Sequence, residues 1–367
     1  MTKLRVGFDA KRLFCNKEGL GSYARTLLID LQSLYPQHEY HLYTPKFNKS
    51  IDTSYFKDKS KFTIHKPDSS SFLWRYSKVT DDLIRDEIDV YIGLSNELPR
   101  GLSKAGIKSV LVVHDLLYKF FPEQFKFFDR LLIDYKLKHA INEADRVVAI
   151  SKHTAADLSH TFSNSEHKTS VIYQSVNNAF RAIPVEQATG DYFLCVGSIN
   201  KRKNLKLLIK AYDHIPDKQK QPVTIVGTGK RYKKELLDMI KERGYEHLFK
   251  LEGYVTNQTL VQHYNKAIAL IFPSQYEGFG IPILESLSMH VPVISSSMSS
   301  LPEVIGQHGI VIDYSDDVAL ANAIKLMSKK ESKLNYLRGL DDHLHNFSPE
   351  LICREYISII EQLTTSE

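Results

Sequence analysis

The sequence predicts an α/β protein made of two doubly wound, Rossmann-like domains. Three observations lead there. Short β-branched runs alternate with longer amphipathic stretches; a polar segment interrupts the alternation; and the alternation then starts again over a similar length. The 367 residues suffice for two separate cores, and 43% hydrophobic with 25% charged residues is ordinary for a globular chain.

In the first series, strands are expected at Leu4–Phe8, Tyr40–Tyr43, Val90–Ile92, Val110–Val113, Val147–Ile150 and Val171–Tyr173, with helices such as Ser22–Leu34 and Phe127–Ala144 between them. In the second, strands are expected at Tyr192–Val196, Val223–Val226, Phe249–Leu251, Ile268–Ile271, Val293–Ile294 and Ile310–Ile312. Helices Leu205–His214, Lys233–Arg243 and Pro282–Met289 lie among them. The stretch Val176–Asp191, with Asn177, Asn178, Pro184 and Gly190, reads as the linker. Residues 1–180 and 181–347 are therefore the expected domains. The last helical stretch, Pro349–Leu363, follows the second sheet and packs elsewhere, with 348–367 joining the first domain. Two such domains place a cleft between the carboxyl ends of two sheets, where doubly wound folds bind ligands.

Three widely spaced cysteines, Cys15, Cys195 and Cys353, imply neither a disulfide framework nor a cysteine metal site, so a reducing, cytoplasmic compartment is expected. The start lacks a secretory apolar region, and no run reaches the ~18 apolar residues of a membrane span. The net charge of +5 lies in the first half. That excess reads as attraction to an anion, such as a lipid headgroup surface or a phosphate, or as solvated lysines. Nucleic acid is not expected as a partner, for want of a basic tract or recognisable module.

Four segments carry chemistry. In the first, strand Ala269–Phe272 leads into Pro-Ser-Gln-Tyr-Glu277-Gly278-Phe279-Gly280-Ile-Pro282 and a helix containing Glu285. The glycines admit close approach of a ligand, Pro282 suits a first helical turn, and free N–H groups there favour an anion. Two carboxylates at different depths suit a polyhydroxy ligand. In the second, strand Tyr192–Val196 leads to Gly197-Ser-Ile-Asn-Lys201-Arg202-Lys203-Asn204 and a helix; three cations there form either a solvated turn or a diphosphate clamp. In the third, Gly19-Leu-Gly21-Ser-Tyr-Ala24 fits the dinucleotide fingerprint Gly-x-Gly-x-x-Ala. Nicotinamide is excluded, since the glycine lies about ten residues past the strand and no ribose-binding acid follows the next one. In the fourth, His114-Asp115 ends the apolar run Val110–Val113, at the carboxyl end of a strand that faces the expected cleft. Asp115 either orients His114 or caps the next turn.

Glu277-Gly-Phe-Gly-Ile-Pro-Ile-Leu-Glu285 resembles the Glu-x7-Glu signature of retaining GT-B glycosyltransferases, family four, including bacterial polysaccharide mannosyltransferases. The resemblance implies that Glu277 contacts the donor sugar and Glu285 the ribose hydroxyls. Backbone N–H groups around Gly278, Phe279 and Gly280 then face sugar and phosphates. It further implies that Lys203, with Arg202, holds the diphosphate and that Gly21 offers an N–H to it. His114 would lie near the transferred sugar, and Tyr254 and Val255, in Leu251-Glu-Gly253-Tyr254-Val255, would border the base. His114, Lys203 and Glu277 form the implied catalytic set.

Ser151-Lys-His-Thr154 also matches the family, with a serine ending a strand at the cleft. Two positions depart from its pattern. Ser198 stands where many relatives carry Arg, and Gln174-Ser-Val-Asn177 replaces Pro-Asn-Gly-Val-Asp. No Asp-x-Asp and no zinc-ligand spacing occur, so no metal and no cofactor are expected; cations and helix N-termini neutralise the diphosphate instead.

The implied reaction is transfer of a hexose, mannose favoured, from a nucleotide sugar. GDP-mannose is preferred to UDP- or dTDP-sugars, and the acceptor is a glycan or lipid-linked molecule of cell-surface polysaccharide such as O-antigen. Retention would follow front-face attack, the leaving phosphate taking the proton. A sugar-nucleotide epimerase of the same fold and a non-catalytic sugar-nucleotide-binding protein are the alternatives; a glycan phosphorylase would need a longer chain and pyridoxal phosphate. The stretch Tyr118–Arg130, aromatic and basic, reads as a partly buried loop and helix start, as peripheral contact with an anionic membrane at its inner face, or as a cradle for a lipid-linked acceptor.

Overall fold

A computed structural model describes residues 3–17, 19–67, 74–181 and 190–365. The chain divides into two compact units. One is Met1–Ser175 with Phe347–Glu367, and the other is Val176–Asn346. Each is built on one wholly parallel sheet with Rossmann-like winding.

The first unit holds seven strands: β1 Arg5–Asp9, β2 Glu39–Tyr43, β3 Phe62–His65, β4 Val90–Gly93, β5 Lys108–Val113, β6 Arg146–Ala149 and β7 Thr169–Val171. They run in the order β3-β2-β1-β4-β5-β6-β7. The second unit holds β8 Tyr192–Val196, β9 Val223–Val226, β10 Phe249–Glu252, β11 Ala267–Phe272, β12 Val293–Ser296 and β13 Gly309–Ile312, in the order β10-β9-β8-β11-β12-β13. In each sheet the order reverses beside the first strand, at β1/β4 and at β8/β11. Connections leave such neighbours toward opposite faces, so a crevice opens at their carboxyl ends. The central strand β11, Ala-Ile-Ala-Leu-Ile-Phe, is buried at every position, which is why it reads as a continuous apolar run.

Strand β3 was not among the expected elements. It is an edge strand of four residues in which only Phe62 is buried, so its alternation is too short to stand out from its polar flanks. Strand β7 lies two residues earlier than the Val171–Tyr173 expectation. The expected linker also needs correction. Asn178–Arg181 is a helical turn whose Phe180 is buried against Tyr264, at 5.8 Å between ring centroids, so Val176–Arg181 belongs to the second unit. The division falls at Ser175/Val176 and Asn346/Phe347, against the expected 180/181 and 347/348. Residues 182–189 of that stretch, Pro184 among them, lie outside the described residues.

The C-terminal helix Pro349–Thr365 packs in the first unit against helix Leu20–Leu34. Its buried stripe includes Ile352, Tyr356, Ile360 and Leu363, and the facing stripe includes Tyr23, Leu27 and Leu31; both repeat at helical spacing. The Tyr23 and Tyr356 hydroxyls meet at 2.6 Å inside that seam, each satisfying the other.

Candidate functional site: a carboxylate held by two cations

In the second unit, β8 and β11 are adjacent, so the loops leaving their carboxyl ends emerge side by side. After β8, Lys201–Lys203 forms a single 3-10 turn, capped by the Asn200 side chain, which accepts from the Lys203 N–H at 3.2 Å. After β11, the chain runs through Glu277 to Gly280, the N-cap of helix Ile281–Ser288, with Pro282 in its first turn. Backbone bonds stitch the loops together: the Gln275 N–H donates to the Arg202 carbonyl at 2.8 Å, and the Arg202 guanidinium donates to the Tyr276 carbonyl.

This brings three predicted residues together. Lys203 Nζ lies 2.8 Å and Arg202 Nη1 2.5 Å from Glu277 Oε1, with each side chain at most 14% exposed. Burial would raise the Glu277 carboxyl, but Lys203 and then Arg202 outweigh it and hold it below the usual carboxylate range. The Lys203 ammonium is lowered, chiefly by burial and then by Arg202, against the pull of Glu277. The stem of Lys203 lies beside Gly197, where an added Cβ would stand 3.1 Å from Lys203 Cε and Nζ. Gly197 also has φ +127°, a backbone conformation that favours glycine. The ammonium sits over the Phe272 ring at 4.2 Å from its centroid.

The cluster is not self-satisfied. Among the described residues, Arg202 Nε and Ser274 Oγ are buried without a hydrogen-bond partner. Such atoms are uncommon in folded proteins, and a guanidinium N–H and a hydroxyl left over in one crevice suit a polar, anionic ligand that accepts from them.

Glu285 sits one turn into the helix after Gly280, and its carboxyl is pushed up to about 7 by desolvation, against the Tyr264 hydroxyl and the Lys203 charge. Tyr264 donates to Glu285 Oε2 at 3.0 Å. Gly278 is half-buried and Phe279 buried, while Tyr254 is exposed and Val255 half-buried in the loop after β10. Ser198, at the departure from the family pattern, is exposed and accepts from Asn200 Nδ2 at 3.0 Å, so no cation stands there.

Several contributors were not foreseen. Tyr264 comes from a helix remote in sequence. Ser299 accepts the Glu277 N–H at 2.9 Å, and Ser300 donates to the carbonyls of Glu277 and Phe279 at 2.9 and 2.8 Å, fixing the loop. A serine-rich run, Ser295–Ser300, was the available signal.

Gly21 and His114 belong to the first unit. A Cβ on Gly21 would stand 2.0 Å from the Asn16 carbonyl oxygen, so the glycine is demanded by the chain crossing beneath it. His114 is 6% exposed, and burial lowers its imidazole to about 4, so it is neutral at pH 7. Its Nε2 lies 2.9 Å from the Leu94 carbonyl, which only accepts, so Nε2 carries the proton and Nδ1 the lone pair. The Tyr23 ring packs edge-on against it at 4.7 Å. Asp115 caps the next turn, accepting the Leu117 N–H at 3.0 Å. Ser151 likewise is an N-cap, accepting the Thr154 N–H at 3.0 Å, while Thr154 donates to the His114 carbonyl at 3.3 Å.

Comparison with known proteins gives the family. The family model described as "Glycosyltransferase Family 4" matches residues 18–180, and the one described as "Glycosyl transferases group 1" matches 176–339. The chain belongs to glycosyltransferase family 4. Among relatives of this family 4 member, O-antigen chain mannosyltransferase B of Escherichia coli is 29% identical over 251 residues, covering 65% of each chain. O-antigen chain mannosyltransferase RfbU of Salmonella typhimurium is 28% identical over 215 residues, covering 59% of each. The matched region thus spans just under two thirds of these relatives.

Solved structures share the fold of this family 4 member. The Anabaena protein HepE, crystallised with UDP and glucose, superposes with a TM-score of 0.72 at 17% identity, over 98% of this chain and all of that one. WaaG, a glycosyltransferase involved in lipopolysaccharide biosynthesis, gives 0.69 at 15% identity over 99% of this chain and all of that one. The architecture is GT-B: two Rossmann-like domains, each on a parallel sheet.

Proposed function

We propose that this protein is a retaining, metal-independent hexosyltransferase that uses a nucleotide sugar, GDP-mannose before UDP- or dTDP-sugars, in building a cell-surface polysaccharide. The observation that carries the reading is the β8/β11 crevice, where two buried cations hold Glu277 while Arg202 Nε and Ser274 Oγ lack partners. Lys203 and Arg202 stabilise charge on the departing diphosphate without a metal ion. Glu277 orients the donor sugar, and Glu285 accepts from the ribose hydroxyls. The mannosyltransferase relatives support mannose, while the UDP found in HepE keeps a uridine donor as the competing choice. His114 enters on family resemblance; its buried environment supplies a neutral imidazole next to the transferred sugar. Gly21, Tyr254 and Val255 complete the donor contacts of this reading.

The acceptor is a glycan or a lipid-linked molecule met at the inner, cytoplasmic face of the cell membrane. Among the described residues, no helix is long and apolar enough to cross a membrane.

Thermal melting with GDP, UDP and dTDP tests the donor, and the expected result is a rise with GDP above the other two. Incubation of the selected sugar nucleotide with membrane extract, with and without EDTA, should release nucleoside diphosphate equally, and NMR of the product should show retained anomeric configuration. No rise with any nucleotide would sink the reading. Conversion of the sugar nucleotide with no acceptor present would replace it with the epimerase.

A further inference from the structure

Helix Phe127–Glu143 is apolar on two sides. Leu137, Ala140 and Ile141 are buried and Ile133 is partly buried in the first unit's core. Phe127, Phe128, Leu131, Leu132 and Tyr135, at spacings of one, four, five and eight, share the other face, and each is more than half exposed, Phe128 reaching 80%. Among the described residues they make up a third of the exposed large hydrophobics, gathered on less than three turns of one helix. Scattered exposed apolar residues need no explanation, but a contiguous face of this kind does.

The surroundings select the occupant. Lys126, Arg130 and Lys138 flank the face in sequence, with Lys126 and Lys138 themselves exposed. Lys119 and Asp134 pair at 2.5 Å and cancel, the Tyr118 hydroxyl donating to the same carboxylate at 2.9 Å, which leaves Glu123 and Asp129 as the opposing charges. Arg100 donates to the Tyr135 hydroxyl, adding another cation at the edge. Protein interfaces are depleted in Lys around their apolar centres. Phe, Leu and Tyr ringed by Lys and Arg is the composition of a helix lying in the headgroup region of an anionic bilayer.

We propose that the Phe127–Tyr135 face is a membrane-docking surface, inserting its two phenylalanines and two leucines into the interface of an anionic lipid bilayer. The surface rests on the proposed reading for its purpose, since docking brings the enzyme to a lipid-linked acceptor. Its evidence is independent of the nucleotide site.

The test is co-sedimentation of the full chain with phosphatidylethanolamine vesicles, with and without phosphatidylglycerol. Wild-type protein is expected to bind the anionic vesicles, to bind the neutral ones weakly, and to be released by added salt. The double variant Phe128→Ser/Leu132→Ser should lose about tenfold or more of that binding, and Lys126→Glu/Arg130→Glu should lose its salt-sensitive part. Nucleotide-induced melting shifts, measured on the same samples, should be unchanged in both. Failure of wild-type to bind anionic vesicles, or equal binding by both variants, overturns the inference. So does reversible self-association, seen by sedimentation velocity and abolished by the serine variant, in a protein that ignores lipid. Vesicle binding lost with nucleotide shifts intact removes only the surface, whereas absent nucleotide shifts remove the proposed function whatever the lipid result.

Discussion

Replacing Lys203 by Met separates the cost of the cation cluster from its use. Methionine keeps an apolar stem beside Gly197 and Phe272 and removes the charge 2.8 Å from Glu277. At that distance the gross attraction is roughly 6 kcal/mol at an effective dielectric constant of about 20. Yet burial outweighs this attraction for the ammonium, whose pKa is lowered. A lysine with a depressed folded pKa is a net burden on folding at neutral pH. Glu277 meanwhile keeps Arg202 at 2.5 Å, so no unpaired buried carboxylate is left. The expected change in unliganded stability is therefore within about 2 kcal/mol of zero, a melting shift of at most about 8 °C. Binding of the nucleoside diphosphate, followed by titration calorimetry, should weaken about ten- to a hundredfold. Turnover of the sugar nucleotide should fall by about 10²–10³, as when one preorganised donor is removed from a developing anion. A melting loss well beyond that bound would make Lys203 a structural residue, and turnover within a few-fold of wild type would refute the clamp.

Glu285, His114 and the Tyr23–Tyr356 pair each have a measurable consequence. Glu285 keeps its proton to about pH 7 when folded but releases it near 4.5 when unfolded, so its contribution is fully present below pH 4.5 and lost as pH rises through 7. Glu285→Gln should therefore gain about 3 kcal/mol relative to wild type at pH 8 and nothing at pH 4.5 in thermal melts, while Tyr264→Phe, which removes the hydrogen bond favouring the ionised form, should move the pH dependence of donor binding upward. The His114 ring, assigned in NMR spectra by comparison with His114→Gln, should show no titration down to pH 5, and a midpoint near 6.5 would contradict its burial. Tyr23→Phe and Tyr356→Phe should each cost about 1–3 kcal/mol by orphaning the other hydroxyl, whereas the double variant should cost little more than either single one in denaturant titrations.

Much of the architecture is carried by local signals. Buried parallel strands such as β8 and β11 are uninterrupted apolar runs, and each loop between strand and helix bears its own glycines, prolines and charges. From these the sequence alone determined two doubly wound domains and the segments Gly197–Asn204 and Glu277–Glu285. Where the signal was weak, as in four-residue β3 or the turn Asn178–Arg181 inside a polar stretch, the reading missed the element.

Only the tertiary structure decided which segments meet. Lys203 and Glu277 are 74 residues apart, and their ion pair exists because β8 and β11 are neighbours at the reversal of strand order, a long-range outcome of crossover handedness. The same holds for Tyr264 behind Glu285 and for Tyr356 against Tyr23. The helix Phe127–Glu143 shows the limit most clearly: apolar residues on both sides leave its periodicity silent about which side the core will cover, and packing against β5 leaves Phe127 to Tyr135 facing out.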